Sequence, residues 1–441
     1  MNADAPSESG LSSASRKRLA VIAFAGLTGL GVGAVGAAFR TLLEALAAHR
    51  VSFFGMLSTI PFLGWLGPML VVGVALLAAA ELARRFAPEA GGSGIQEIEG
   101  ALGGLRPVRW LRVLPVKFLG GVLALGSGAV LGREGPTVHM GGAVGSMVGD
   151  GFRLPEDERH ALLAAGAAAG LSAAFNAPLS GILFVVEEMR RRFRYSFASM
   201  DAVLLAAATA DLVVRVITGP APVIPMPVFA EGDLGMLWIF PLFGAFFGGF
   251  GVAFNRLLLA SLARIDRLRV PARRLAPLAI GLVLGALLHL LPDAAGGGYR
   301  AIADALAGRL AGSLLLILFV VRFVATVGSY SAGAPGGIFA PMMALGTLFG
   351  MWFGTSLGSL TPGVLPQPGA FAVAGMAAFF AATVRAPLTG LALAVELTGE
   401  FGLILPLIFT CAGATLVARL LGGRPIYALL LERTLRQAGE D

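Results

Sequence analysis

Charged residues are scarce in this chain. Asp, Glu, Lys and Arg make up 13% of its 441 residues, whereas a soluble domain typically carries about 25%. Hydrophobic residues make up 56%, and apolar runs near the roughly 20 residues that a spanning helix needs recur along the chain. This composition excludes an ordinary soluble protein and predicts a polytopic membrane protein.

Cysteine and histidine are also rare. The single cysteine, Cys411, lies in an apolar run and excludes a disulfide within the chain. We expect it to be a buried, unreactive thiol. The four histidines show no spacing typical of metal ligands, so neither a metal site nor a cofactor is predicted.

The excess of positive charge has an ordinary explanation in a membrane protein. The net charge is +7, and Arg16, Lys17 and Arg18 precede the first apolar run. Basic flanks stay on the cytoplasmic side of a membrane. The charge therefore predicts a cytoplasmic amino terminus and requires no nucleic-acid partner, and no signal peptide is expected.

Glycine and proline, by contrast, are abundant. The chain contains 62 Gly and 25 Pro, which suits closely packed and interrupted membrane helices. Some apolar runs, such as 179–186 and 388–395, are too short to span and fit segments hidden among longer helices. The alternating pattern of a membrane barrel is absent. The predicted fold class is all-α, with tilted and broken helices.

The chain repeats itself with a period of about half its length. "GSGIQEIEGAL" from Gly92 returns as "GGGYRAIADAL" from Gly296, and "APLSG" ending at Gly181 returns as "APLTG" ending at Gly390. The pattern predicts two related transmembrane repeats, 19–225 and 236–435, joined by a linker at 226–235 that overlaps the proline-rich stretch 219–232. If each half crosses the bilayer an odd number of times, the halves are inverted relative to each other. Tails at 1–18 and 436–441 are expected to be cytoplasmic.

Three polar residues of the first half have apolar or glycine counterparts in the second: Ser93, Glu134 and Glu188 stand opposite Gly297, Phe339 and Leu397. A packing role shared by both halves does not explain them. Glu187 does have a counterpart, Glu396, which favours a structural role for that pair. For Glu188, a salt bridge to the arginines that follow it is an equally strong alternative to proton uptake.

Glycine-rich breaks interrupt the apolar sequence at "GGSGIQ", "GREGP" and "PGGIFAP". Proline fits the first turn of a helix, so helices are predicted to begin near Pro136 and Pro341. The free N–H groups and the dipole at such helix starts attract an anion. For any one break taken alone, close packing through small residues is the favoured explanation, but three breaks, two at matched positions, favour an anion site.

Glu134 fits this interpretation. A carboxylate at a helix start is itself an anion, so it can occupy an anion site while ionised and leave once protonated. A carboxyl group removed from water binds a proton more readily, which makes that exchange feasible. The alternative is a fixed ion pair with Arg133, although neighbouring residues point apart on a helix.

The motifs "GSGIQEIEGAL", "GREGPTV", "FNAPLSGILFVVEEMRRRFRY", "SAGAPGGIFAPMMALG" and "GGRPIY" resemble those of the CLC chloride channels and chloride/proton exchangers. The resemblance runs in order from about residue 20 to Tyr427. It implies a homodimer with one pore per subunit, two inverted halves, and both termini in the cytoplasm. Chloride and protons are the implied partners, together with the lipid bilayer.

The resemblance also implies roles for individual residues. Hydroxyl groups of Ser93 and Tyr427 and the N–H groups of Ile338 and Phe339 would hold a central anion. Glu134 would be the outer gate, and Glu188 the inner proton acceptor. The candidate anion-binding residues are Gly92, Ser93, Arg133, Gly135, Ile338, Phe339 and Tyr427, and the candidates for gating and proton transfer are Glu134 and Glu188.

Two features depart from or limit the family pattern. Gln96 replaces the family's proline, which removes a constraint on where a helix starts. The short sequence after Tyr427 predicts no CBS domains and points to a prokaryotic inner membrane. In the family, Ser93 favours chloride over nitrate, and the GREGP and Ser pattern argues against the fluoride-selective branch.

The predicted function is exchange of chloride for protons, and the alternative is a passive, voltage- or pH-gated chloride channel of the same fold. An enzyme is not expected, because no nucleophile, metal or cofactor motif is found. A scaffold role leaves Glu134 unexplained. For Lys117 and Arg322, which occupy matched repeat positions, structural pairing is favoured, while a contribution to the positive potential of the pore stays open.

Overall fold

The structure is a computed structural model that describes residues 8–224, 234–360 and 367–439. These residues form α-helices and three short 3-10 turns, and no sheet strand occurs among them. The first eight helices are α1 (Glu8–Leu57), α2 (Leu63–Phe86), α3 (Ile95–Leu102), α4 (Trp110–Ser127), α5 (Glu134–Gly151), α6 (Glu156–Phe175), α7 (Pro178–Glu188) and α8 (Phe197–Thr218).

The second set has nine helices: α9 (Ile239–Asp266), α10 (Val270–Leu290), α11 (Tyr299–Leu306), α12 (Ser313–Ser331), α13 (Phe339–Leu360), α14 (Pro368–Val384), α15 (Pro387–Thr398), α16 (Ile404–Leu420) and α17 (Ile426–Ala438). Within the described ranges, six helices are long and apolar enough to cross a bilayer, namely α1, α2, α4, α9, α10 and α12. The predicted all-α, multi-pass fold class is confirmed.

The short apolar runs form short helices inside this bundle. α7 has 11 residues and α15 has 12, too few to span a bilayer. α14 is buried from Gly369 to Val384, and α5 is buried along most of its length. Because α5 packs on α6 and α13 packs on α14, the first turns of α5 and α13 lie deep within the protein.

Two helix starts lie near the prolines that predicted them. α5 begins at Glu134 and α13 at Phe339, each two residues before the proline that was expected to mark the start. The first four N–H groups of a helix have no partner within it, so a residue without an N–H fits the third position as well as the first. Pro136 and Pro341 therefore lie inside the first turn.

The ends of the chain are more helical than expected. α1 already begins at Glu8, so part of the tail predicted at 1–18 belongs to that helix. α17 extends to Ala438, into the tail predicted at 436–441. Most of the linker predicted at 226–235 lies outside the described residues. The division into two repeats stays a prediction.

Candidate anion site and gate

The three glycine-rich breaks meet at the centre of the fold. Gly132 and Gly337 exchange two backbone hydrogen bonds, each with an N–O distance of 2.7 Å. Gly92 donates to the carbonyl oxygen of Ala334 at 3.2 Å and accepts from the N–H of Gly336 at 2.9 Å. Segments some 200 positions apart in the chain are thereby tied into one loop cluster, which lies at the starts of α3, α5 and α13.

Two buried cations hold the backbone around this cluster. Lys117 Nζ donates to the carbonyl oxygens of Ala90 at 2.9 Å and Gly92 at 2.7 Å. Arg322, at the matched position, donates to three carbonyl oxygens of the corresponding loop, at distances of 2.9 to 3.0 Å: those of Asp293, Ala295 and Gly296. Both side chains are fully buried. Through these hydrogen bonds both cations stabilise the backbone of the loops. This is the structural role that their matched positions in the repeat favoured.

The carboxylate of Glu134 lies at the start of another helix. Its Oε2 accepts a hydrogen bond from the N–H of Ala340, the second residue of α13, at 3.3 Å, and its Oε1 accepts one from the hydroxyl of Tyr299. The side chain is 0% exposed. A Cβ at Gly132 would overlap Oε2, so only glycine leaves room for the carboxylate there. A negative group thus occupies the positive end of α13.

In the described part of the chain, Arg133 forms no ion pair with Glu134. Its Nη1 instead lies 3.5 Å from Oε1 of Glu44, and its guanidinium lies 4.8 Å from the centre of the Tyr299 ring. The fixed ion pair considered above is therefore not formed. Arg133 was also a candidate for anion binding, and its described contacts are with Glu44 and Tyr299 rather than with Ser93 or Tyr427.

The hydroxyl groups of Ser93 and Tyr427 are two of the five buried hydroxyls that have no hydrogen-bond partner among the described residues. Ser93 and Tyr427 are both 0% exposed, and in the described part of the chain neither hydroxyl makes a hydrogen bond of good geometry, although the two are close enough to interact. A buried polar group without a partner costs free energy. Two such O–H donors side by side are what a dehydrated anion would require.

Other predicted residues surround this hydroxyl pair. Gly135 lies directly against Ser93, and the ring centroid of Phe339 lies 5.7 Å from that of Tyr427. The backbone N–H groups of Ile338 and Phe339 donate to no atom of the described residues. The fold therefore brings the candidate anion-binding groups of α3, α5, α13 and α17 together, with free donors among them.

Gln96 leaves the helix start in place. α3 begins at Ile95, directly after Gly94, whose φ of 87° lies in the left-handed region that suits glycine. The helix start is thus fixed by Gly94 rather than by the missing proline. Gln96 is buried, its Oε1 has no partner among the described residues, and it lines a cavity of about 650 Å³ together with Tyr330 and Arg433.

Two tyrosines of the site were not predicted. Tyr299 donates to Glu134, and the hydroxyl of Tyr330 accepts from the N–H of Ser93 at 3.4 Å. The chain has only four tyrosines, and three of them lie here. Tyr299 stands opposite Ile95 in the repeat, so the comparison that singled out Ser93 could also have found it.

Glu187 and Glu396 each cap a helix of the other half. Glu187 accepts from the N–H groups of Leu388 at 3.1 Å and Thr389 at 2.8 Å, at the start of α15. Glu396 does the same at the start of α7, where Leu179 donates at 3.0 Å and Ser180 at 2.7 Å. These hydrogen bonds fit the structural role that was predicted for Glu187 and Glu396.

Glu188 differs from its neighbour. It is half-buried, and no ion pair or hydrogen bond of its side chain is found among the residues described. Two of the arginines that follow bind elsewhere: Arg192 pairs with Glu99 at 3.6 Å and Arg194 with Asp157 at 2.8 Å. Among the described residues, neither Arg190 nor Arg191 forms an ion pair with Glu188. The salt-bridge alternative is therefore not realised. Cys411 is buried and free, as expected.

The fold and this site define a class: all-α, multi-pass membrane proteins in which helices start at glycine-rich breaks inside the helix bundle. The profile of the family described as "Voltage gated chloride channel" matches residues 73–419. The chain belongs to this family, the CLC proteins, as its motifs indicated.

Characterised relatives cover nearly the whole chain. The H(+)/Cl(-) exchange transporter ClcA of Vibrio parahaemolyticus is 51% identical over 422 residues, which are 94% of this chain and 90% of the relative. The protein of the same name from Cronobacter sakazakii is 49% identical over 433 residues, 96% of this chain and 93% of the relative. The crystal structure of a slow cyanobacterial Cl⁻/H⁺ antiporter superposes with a TM-score of 0.91 at 40% identity and covers 94% of this chain and 98% of its own.

Proposed function

We propose that this protein exchanges chloride for protons across a prokaryotic cytoplasmic membrane. The observation that carries the proposal is the position of the Glu134 carboxylate, which occupies the positive end of α13 beside unpaired donors. The relatives named as H(+)/Cl(-) exchange transporters, at 51% and 49% identity, support the same function.

In this proposal, chloride binds between the hydroxyls of Ser93 and Tyr427 and the N–H groups of Ile338 and Phe339. Gly92 and Gly135 allow the backbone to come close to the ion. Neutral dipoles bind an anion without holding it as tightly as a fixed charge would, which suits release to the next site. Chloride is the transported ligand, and no resident cofactor is proposed.

Glu134 gates this path and carries the proton. While ionised, it holds the site at Ala340 that a second anion would use. Once protonated, it is a weaker acceptor for the donors around it, so it leaves and chloride enters. The proton moves with the side chain and is released when the carboxylate returns. Each cycle of the gate therefore links anion movement to proton movement.

Glu188 supplies protons from the cytoplasmic side. Its carboxyl group forms no hydrogen bond or ion pair in the described part of the chain. It lies next to the arginine-rich segment 190–194, and basic segments beside apolar runs are typical of the cytoplasmic side of a membrane. A passive channel has no use for an unpaired, half-buried carboxyl group at this place, and this favours exchange over conduction. We further propose a homodimer with one pore per subunit and cytoplasmic termini, on the strength of the family resemblance.

The reversal potential of purified protein in liposomes separates exchange from conduction. With a fixed chloride gradient, adding a proton gradient is expected to shift the reversal potential of an exchanger, because each chloride moves against protons. A reversal potential that follows chloride alone at every imposed pH difference identifies a channel. Protein-free liposomes provide the control for proton leak.

A further inference from the structure

Tyr299 contacts the carboxylate of Glu134, the proposed gate. It is the first residue of α11 and follows Gly298, whose φ is 106°. Its hydroxyl donates to Oε1 of Glu134, while the N–H of Ala340 donates to Oε2 at 3.3 Å. The carboxylate is therefore held from two sides, by a backbone donor of α13 and by one side-chain hydroxyl from α11.

The ring of Tyr299 is itself fixed by neighbours. The guanidinium of Arg133 lies 4.8 Å from the ring centre, and the ring of Phe175 meets it edge-on with centroids 6.4 Å apart. A cation over an aromatic face is attracted to it. Arg133 is held in turn by Glu44, whose side chain is 56% exposed. The hydroxyl of Tyr299 therefore has a defined position relative to Glu134.

A small cavity lies on the other side of this contact. It measures about 160 Å³, and its lining includes Glu44, Arg50, Arg133, Gly297 and Tyr299. Tyr299 thus stands between this cavity and the buried carboxylate.

We propose that Tyr299 is a positioning residue that latches the ionised form of Glu134 in the closed position. The inference rests on the proposed function, in which Glu134 is the gate. A hydrogen bond to a charged acceptor is roughly twice as strong as one to a neutral acceptor. The latch therefore stabilises the ionised, closed gate more than the protonated, open one, and it lowers the pH at which the gate opens.

Tyr299→Phe tests the latch. Without the hydroxyl, the ionised closed gate loses a stabilising bond, so protonation and opening are expected at higher pH. The midpoint of the curve of chloride flux against pH should move upward by about one pH unit. In the part of the curve where protonation of Glu134 limits transport, this shift corresponds to a roughly tenfold higher chloride flux. Proton coupling should be retained, because Glu134 and Glu188 are intact.

The chain offers a matched control in Tyr195→Phe. The Tyr195 hydroxyl donates to the carbonyl oxygen of Val186, and its side chain is 52% exposed. This variant loses the same atom without touching the gate, so its pH profile should match that of the unmodified protein. If Tyr299 is merely structural, Tyr299→Phe will lower the thermal unfolding temperature and leave the pH profile unchanged, which overturns the latch.

A double substitution shows whether Tyr299 acts through Glu134. In Glu134→Gln the gate no longer titrates, so adding Tyr299→Phe should cause no further change in the pH dependence of chloride flux. An equal shift in both backgrounds would show that the hydroxyl acts elsewhere and would overturn the latch. If Glu134→Gln alone keeps full proton coupling, the proposed function fails first. If that variant is uncoupled but Tyr299→Phe shows no shift, only the latch fails.

Discussion

Glu134→Gln is expected to abolish proton coupling while chloride continues to cross the membrane. Glutamine has nearly the same shape but carries no exchangeable charge, so it cannot deliver a proton or occupy the start of α13 as an anion. A positioned group that transfers protons contributes about 10²–10⁴-fold, and proton flux driven by a chloride gradient should fall by at least about 100-fold. Chloride efflux and external pH, recorded together from proteoliposomes, measure both effects.

Glu432→Gln is the matched control for this substitution. Glu432 lies on α17 and pairs with Arg424 at a partly exposed position away from the gate. The same chemical change there should leave both fluxes unaltered. Coupled proton flux that persists in Glu134→Gln would contradict the assignment of the gate.

Glu188→Ala is expected to abolish proton coupling by removing the proposed proton acceptor on the cytoplasmic side. Chloride flux should persist and keep its dependence on external pH, because Glu134 still titrates. Proton flux driven by a chloride gradient should fall to the level of protein-free liposomes. The described side chains make no bond to Glu188, so its removal should leave the thermal unfolding temperature nearly unchanged. Unaltered coupling in this variant would contradict its role as proton acceptor.

Glu396→Ala provides the opposite pattern as a control. Its carboxylate caps α7 through the N–H groups of Leu179 and Ser180. Removing such a cap leaves donors unpaired and costs about 0.5–2 kcal/mol of stability. This variant should therefore unfold at lower temperature and keep its ratio of chloride to protons. Together, Glu188→Ala and Glu396→Ala distinguish a carboxyl group that acts in transport from one that stabilises the fold.

Much of this arrangement could be predicted from the sequence, because the informative signals were local. Apolar runs predicted the membrane helices, and comparison of the halves singled out Ser93, Glu134 and Glu188. The same comparison favoured a structural role for Glu187. Two helix starts were predicted near Pro136 and Pro341 and lie two residues before them, because proline tolerates any position within the first turn.

Contacts between distant segments could not be predicted in this way. The bond from Tyr299 to Glu134 joins residues 165 positions apart and depends on how α11 and α5 are placed around the start of α13. Likewise, the repeat relates Glu187 to Glu396 but does not show that each caps a helix of the opposite half. Such contacts are set by the relative placement of the halves, to which no short motif corresponds. The division at 226–235 stays a prediction.

Bromide, which replaces chloride and scatters anomalously, tests the central claim most directly. Crystals of the unmodified protein at neutral pH should show bromide beside Ser93 and Tyr427 and the carboxylate of Glu134 beside the N–H of Ala340. Crystals of Glu134→Gln should show an additional bromide at the place of that carboxylate. Identical bromide peaks in both crystals, or no bromide near Ser93 in either, would contradict the account.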